Sequence, residues 1–560
     1  MNQLLKPMVL CRAIVDVGLE ILFMSFLKRN KKRFLVMCAM LACAISMFAQ
    51  ESFAIRDYVQ SSIISASGDN APFWLVTNRN GVSSLDTQNG YVRYGMLVDG
   101  TIGNSGNWKY SSGFDFKTGY NQINDISIQQ LYADVSYKWL TLSIGQKERT
   151  AEMRHFCHIY GIDNKAMCLF PNLSLDAVTD LGTGGLVYSN NALPVPQLRL
   201  EVPEYVSIFG RDTWIKLRGH IAYGMFLDHN FQADFTAKNP NARYTKKVLY
   251  HSKALFMKFG KPEKFPLEVE GGLEMYSQFG GDIYTHAKGK YMSMPSGVND
   301  FFKALIPGSG DSTTPYAEQS NMSGNHIGNW HLAFTLHTRP FDIRLYGEHM
   351  FEDFSQLFFF EYQSNSEGNR EVVYYPWRDI MIGISVKNKS RFLKFISNIS
   401  YEYMSTYDQS GACYNDPGPH YKEQMDGWDN YYNHAIYSGW HNFGMAMGNP
   451  LVFSPLYNTD GALEFKGNRV KSHHVGVNGG FGRKKELMYR LMYTYSENWG
   501  TYLNPFNEKR YTTSLLADII YSPSGKTWYL STSLAHDRSN YIGKNTGVMV
   551  SFVKVGLLKK

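Results

Sequence analysis

From residue 91 onward the chain is written in short segments of about ten residues, in which apolar and polar positions alternate and Gly, Pro, Asn and Asp separate one segment from the next. In 511–522 one row reads Tyr511, Thr513, Leu515, Ala517, Ile519, Tyr521 and the other Thr512, Ser514, Leu516, Asp518, Ile520, Ser522. Successive strand side chains point to opposite faces, so the first row suits lipid, with a phenol at each headgroup level. The same arrangement recurs. Leu393, Phe395, Ile399, Tyr401 and Tyr403, interrupted by Ser397, oppose Lys394, Ile396, Asn398, Ser400 and Glu402; Leu487, Tyr489, Leu491, Tyr493 and Tyr495 oppose Met488, Arg490, Met492, Thr494 and Ser496; Phe341, Ile343 and Leu345 oppose Asp342, Arg344, Tyr346 and Glu348. The charged rows then face a polar lumen.

Segments of this kind are expected at 91–99, 107–118, 126–138, 139–147, 184–189, 197–202, 213–226, 249–260, 265–278, 329–338, 341–354, 376–388, 393–406, 469–482, 487–498, 511–522, 526–537 and 546–557. The pattern predicts an all-β chain: a transmembrane antiparallel β-barrel of about 18 strands over 91–560. Long extracellular loops are expected at 280–329, 362–375 and 407–469. Residues 50–90 are assigned to an N-terminal periplasmic or plug segment. Helix is expected only in short pieces, at 149–155, 173–181 and 298–305. A soluble β-sandwich is the competing architecture, but it gives no reason for tyrosines to recur at strand ends.

Composition sharpens this picture in two places. Aromatic residues make up 15% of the chain, with 38 Tyr and 35 Phe, which suits a barrel with two interfacial girdles. Residues 1–50 carry a net charge of +5, leaving +2 of the formal +7 for the rest, and so nearly neutral a body lacks the basic face that nucleic acid requires. The basic run 28–33 ahead of the apolar run 34–48 reads as a signal peptide over 1–49, with cleavage near Ala49 or Ala54 and Met24 as an alternative start. A lipoprotein signal ending at Cys43 is the minor alternative. The destination is the outer membrane of a Gram-negative bacterium, with lipid around the barrel. After the leader only Cys157, Cys168 and Cys413 remain; Cys157 and Cys168 either pair in an oxidising compartment or stay separate.

The stretch 429–455, DNYYNHAIYSGWHNFGMAMGNPLVFSP, keeps neither strand nor helix periodicity and is placed in a long loop. It mixes flat aromatic rings with amides and imidazoles, the side chains a polyhydroxylated ligand such as a sugar calls for. Tyr431, Tyr432, Asn433, His434, Tyr437, Trp440 and His441 are the candidate glycan-binding residues. The competing reading has these aromatics pack the loop against the barrel mouth.

Catalytic and metal signals are weak. Glu348 and Glu352 share a strand face about 13 Å apart, too far for a glycosidase pair, and read better as lumen charges. His155, Cys157, His158 and Cys168 supply one spacing pair where a metal site usually has two. His473 and His474 point to opposite faces of one strand. The run 182–185, GTGG, is a turn, since no phosphate-loop Lys-Ser or Lys-Thr follows it. Pro194 and Pro196 shape a bend. No enzyme, metal or cofactor is expected.

Three long strings, APFWLVTNRNG at 71–81, YSNNALPVPQLRL at 188–200 with LYHSKALFMKFG at 249–260, and YYNHAIYSGW with GNPLVFSP in 431–455, resemble the Wzi-type capsule assembly proteins of the outer membrane in their Bacteroidetes form. The resemblance spans nearly the whole mature chain. It implies an outer-membrane barrel that holds capsular or surface polysaccharide at the cell surface by lectin-like binding without catalysis, in contact with the polysaccharide export machinery. An outer-membrane porin or diffusion channel is the alternative. The N-terminal helical bundle of proteobacterial members has no counterpart here, and the chain ends in Leu-Leu-Lys-Lys rather than on the usual aromatic.

Overall fold

The computed structural model describes residues 53–103, 105–149, 181–207, 210, 213–307, 323–352, 360–364, 370–374, 378–390, 395–409, 429–482 and 484–559. The leader, Cys157, Cys168, Cys413, His155 and His158 lie outside them. So do the helices expected at 149–155 and 173–181, except for their end residues Arg149 and Leu181.

Eighteen strands pair in chain order, each antiparallel to the next. They are β1 (Phe53–Ser67), β2 (Gln88–Ile102), β3 (Trp108–Tyr120), β4 (Ile126–Tyr137), β5 (Leu140–Gln146) and β6 (Gln197–Ser207). There follow β7 (Ile215–Met225), β8 (Leu249–Phe259), β9 (Leu267–Phe279), β10 (Asn325–His337), β11 (Phe341–Glu352) and β12 (Ile380–Asn388). The last six are β13 (Ile396–Ser405), β14 (Val470–Phe481), β15 (Leu487–Gly500), β16 (Pro505–Tyr521), β17 (Trp528–Ser539) and β18 (Lys544–Lys559). β1 pairs with both β2 and β18, so the sheet closes and leaves no edge.

The expected strand number holds, but two assignments change. Residues 53–67 are the closing strand β1, so only 68–87 of the segment assigned to 50–90 is a loop inside the barrel. Residues 184–189 are loop, not strand. β1 escaped notice because its outward row includes Asp57 and Ser61 while its inward row holds Tyr58 and Ile64, both buried; neither face is cleanly apolar.

The two faces of the wall follow the predicted alternation. Tyr511, Leu515, Ile519 and Tyr521 are exposed on the outside, as are Leu345, Ile399, Leu491 and Tyr493, while Arg490, Asp518 and Glu402 are buried on the inside. Leu142, Ile144, Leu198, Leu200, Ile221, Leu255, Leu332, Leu534 and Val550 extend the outer apolar band around the circumference. Aromatic residues crowd the rim of short turns, among them Trp108, Tyr137, Trp139, Trp214, Phe265, Phe395, Phe481 and Trp528.

The other rim carries the long connections, and their described parts fold largely inward. A single apolar core joins Phe73, Trp74 and Leu75 from the 68–87 loop and Leu186 and Val187 from 181–196. It takes Phe226 and Val248 from the β7–β8 connection, Ile283 and Met294 from β9–β10, and Tyr431 to Phe465 from β13–β14. Inward-facing wall residues complete it, including Ile64, Tyr250, Tyr276, Ile327, Met350, Met381, Met404, Val470, Met492, Leu516, Ala535 and Met549. The lumen at the long-loop end is therefore filled by a packed plug. Among the described residues two short helices accompany it, α1 (Phe73–Val76) and α2 (Phe231–Thr236), while a third, α3 (Val298–Leu305), at the predicted position, packs on the outside of the wall.

Candidate functional site

The plug is built around the stretch singled out in the sequence. His441–Asn442 pairs with Met445–Ala446, and Phe443 and Gly444 between them both have positive φ, 50° and 72°, as a tight type I′ hairpin requires. Trp440, with no exposed surface, donates its indole N–H to the Val187 carbonyl at 2.8 Å and stacks on Tyr250 of β8. Tyr431 donates to the Asp379 carboxylate at 3.1 Å. The Tyr432 hydroxyl donates to the Leu186 carbonyl and accepts from the Asn449 N–H. Gly448 passes beside that hydroxyl, where a Cβ would collide with it and with the Leu186 carbonyl. Asn433 and Phe465 exchange two hydrogen bonds of 2.8 Å, side-chain amide against backbone.

The expectation of an open recognition surface is thereby corrected. Tyr431, Tyr432, Tyr437, Trp440 and His441 are buried, while Asn433 and His434 are partly buried. The physical reason is mutual satisfaction: rings supply area, and amides pair the backbone groups of an irregular loop taken out of water. Burial pushes His434 and His441 down to about 4, so both imidazoles are neutral at physiological pH.

Inward-pointing wall carboxylates grip the plug by its backbone. Asp537 of β17 accepts the Phe73 N–H at 2.8 Å; Glu402 of β13 accepts the Thr183 N–H at 2.7 Å and its hydroxyl at 2.9 Å. Glu348 of β11 accepts the Leu186 N–H at 2.8 Å and the Asn329 amide at 2.7 Å, and Glu352 accepts the Tyr432 N–H at 2.8 Å. Glu348 and Glu352 are thus positioned as structural acceptors. His473 and His474 do point apart: His473 shares a hydrogen bond with the Tyr401 hydroxyl outside, while His474 is buried against Thr494 and the Leu181 carbonyl.

The apolar outer band, the aromatic rim and the closed sheet with short turns at one end and long loops at the other decide the location. The chain is an outer-membrane β-barrel. Its short turns face the periplasm and its plug lies at the extracellular mouth. No protein-family model matches the chain, and no curated protein matches it. Among solved structures it is similar to Pseudomonas aeruginosa OccK5 (OpdH), at 8% identity over 90% of this chain and 98% of that one, TM-score 0.42. It is also similar to Acinetobacter baumannii OccAB4, at 9% identity over 91% and 99%, TM-score 0.40. Salmonella typhi OmpF in complex with daunomycin gives 8% identity over 90% and 98%, TM-score 0.38. Likeness at this level bears on neither ligand nor partner.

Two further features of the barrel could meet a ligand. A shallow cleft lies at the extracellular end between the β3–β4 turn and the plug. Phe443 and Asn442 reach it from the hairpin, with Lys117, Asn124, Ser127 and Gln129 opposite. A bulky residue at positive φ is uncommon; the rings of Phe231 and His229 support Phe443 at 5.8 and 6.4 Å. In the periplasmic half, Arg218, Lys258 and Arg344 converge on the single carboxylate of Glu270 at 3.7, 3.5 and 3.6 Å. Neither feature was singled out in the sequence, because the residues of each come from separate strands and loops.

Proposed function

We propose that this barrel binds surface polysaccharide at its extracellular mouth and retains it there without chemistry. The observation that carries the reading is the filled lumen: a packed plug tied to wall carboxylates suits a barrel that holds something outside better than one that passes solutes freely. The resemblance of the 71–81, 188–200, 249–260 and 431–455 strings to Wzi-type capsule proteins points the same way. The cleft beside Phe443 is the contact point we assign: the partly exposed Asn124 and Ser127 offer an amide and a hydroxyl at its mouth, above a buried floor that includes the Phe443 ring, a mixed surface of the kind a pyranose face calls for. Weak binding there suffices for a long repeating polymer, where many barrels engage one chain.

The test is deletion followed by quantification of polysaccharide on cells and in the medium. Release into the medium is expected, with rescue by the wild-type chain and poor rescue by Asn124→Ala combined with Ser127→Ala. Wild-type retention in the deletion strain refutes the reading. The cationic convergence on Glu270 favours a second reading, an anion-conducting channel whose plug moves aside. Steady conductance of the unmodified barrel in planar bilayers would support that reading, and a silent barrel the first.

A further inference from the structure

We infer that α3 is an interfacial anchor, lying on the outside of the barrel with one apolar face in the outer leaflet of the membrane. Most of the described loops fold inward; the β9–β10 connection also folds out. His251 of β8, Met275, Ser277 and Phe279 of β9 and His326 of β10 all share the outward face of the wall by strand alternation, yet each is buried. Phe301 of α3 packs there, 5.2 Å from the Tyr223 ring and 5.1 Å from that of Phe279, and its carbonyl accepts the Tyr223 hydroxyl at 2.7 Å. Ala304 is buried against the same wall.

A second observation fixes the helix at the edge of the lipid band. Lys253 stands on the outward face of β8, next but one to Leu255, which is 53% exposed in that band. A cation facing lipid needs a partner, and Lys253 finds it in the C-terminal carbonyls of α3, donating to Ala304 at 3.0 Å and Leu305 at 2.5 Å. The helix C-terminus thus sits one outward-facing residue, about 7 Å of strand rise, above Leu255.

On the side of α3 away from the wall, Val298, Phe302 and Ile306 follow one another at four-residue spacing and are 76%, 62% and 73% exposed, a single apolar stripe. Asn299 is exposed beside them, and Asp300 closes the first turn by accepting the Gly297 N–H at 2.8 Å. The stripe continues the outer apolar band of Ile221, Leu255 and Leu332, and this continuity selects lipid acyl chains as its occupant. Amphipathic helices bury an apolar face in the interface in this way; here the opposite side of the helix is held by the wall through Phe301 and Ala304.

The experiment places an environment-sensitive NBD label at Phe302→Cys, in a full-length barrel whose other cysteines are serine, reconstituted in phosphatidylcholine vesicles with and without 5-doxyl lipid. Labels at Asn299→Cys and Leu332→Cys serve as water and lipid references, and heat-shifted electrophoretic migration checks folding. Blue-shifted emission at 302, quenched several-fold more than at 299 and close to 332, is the expected result. Quenching at 302 no stronger than at 299 overturns the proposal. Energy transfer between labels that grows with protein-to-lipid ratio also overturns it, by assigning the stripe to a second copy of the chain. Ile306→Cys repeats the measurement if the label at 302 prevents folding.

Discussion

The two halves of the lumen are lined by the same eighteen strands and are chemically unlike. Toward the cell exterior the inner wall presents Met350, Met381, Met404, Met492, Leu516 and Met549 to the plug. Toward the periplasm it presents charges, with Arg218, Lys258 and Arg344 around Glu270 and Lys389 and His337 around Asp342. The inner face of a barrel is therefore not polar by rule; it matches whatever fills it. Methionine suits an irregular filling because its unbranched chain adapts to gaps. Wall carboxylates stay where a plug N–H meets them or where a cation does, as Arg93 meets Asp115 and Arg490 meets Asp518, since a buried charge without a partner is costly.

The hardest blow to the outer half is Trp440→Ala, which empties the centre of the plug and should cost it about 3–5 kcal/mol. Amide exchange across 429–469 should rise sharply while the barrel strands stay protected. Glu402→Gln comes next: it keeps the shape but removes a charged acceptor from Thr183, at about 2 kcal/mol, and Glu348→Gln should behave alike through Leu186. Proteolysis within 181–196 reads both.

Acid offers a third probe with a defined sign. Because His434 and His441 are held near 4 against an ordinary 6.5, their contribution is complete above pH 6.5 and is lost as pH falls from there toward 4. Asp379 works in the opposite sense. Burial and the neighbouring Asp408 raise it to about 7 from 3.8, so its contribution is present at low pH and lost between about 4 and 7. Asp379→Asn should therefore unmask the histidines, giving a plug that loosens steadily on acidification as followed by exchange of 429–442. The smallest effect belongs to the periplasmic half. Arg344→Ala removes a half-exposed partner of Glu270 and should change barrel stability by less than about 1 kcal/mol, with no change in plug exchange.

The sequence was legible where one solvent dictates one face. Lipid favours an apolar row every second residue, so β11, β15 and β16 were readable to the side chain, and β13 from Ile399 onward, past the bulge at Ser397 that interrupts its row. β1 was not, because Asp57 and Ser61 interrupt its outer row. The 429–455 stretch shows a different limit. Rings among amides describe a sugar site and a hydrogen-bonded irregular core equally well, and only the wall residues brought from β8, β9 and β11 decide that most of it is core. A local hint existed: Met492 fell on the lumen row of β15, where water would not favour it, and it joins the plug core. The grip of Glu348, Glu352, Glu402 and Asp537 left no local trace, since each donor lies at least 80 positions away along the chain.

The seam between β1 and β18 sets an order of assembly. Ser62 meets Ser551 across it, 489 positions apart, about as non-local a contact as a chain of this length can make, and such contacts form late. The first plug loop is pinned at that seam, with Asp69 and Asn70 donating to Asn545 and Phe73 to Asp537. Until the last hairpin is zipped, that loop has nothing to seat against. Protection of residues 69–76 in a pulse-labelled refolding experiment would then serve as a clock for barrel closure.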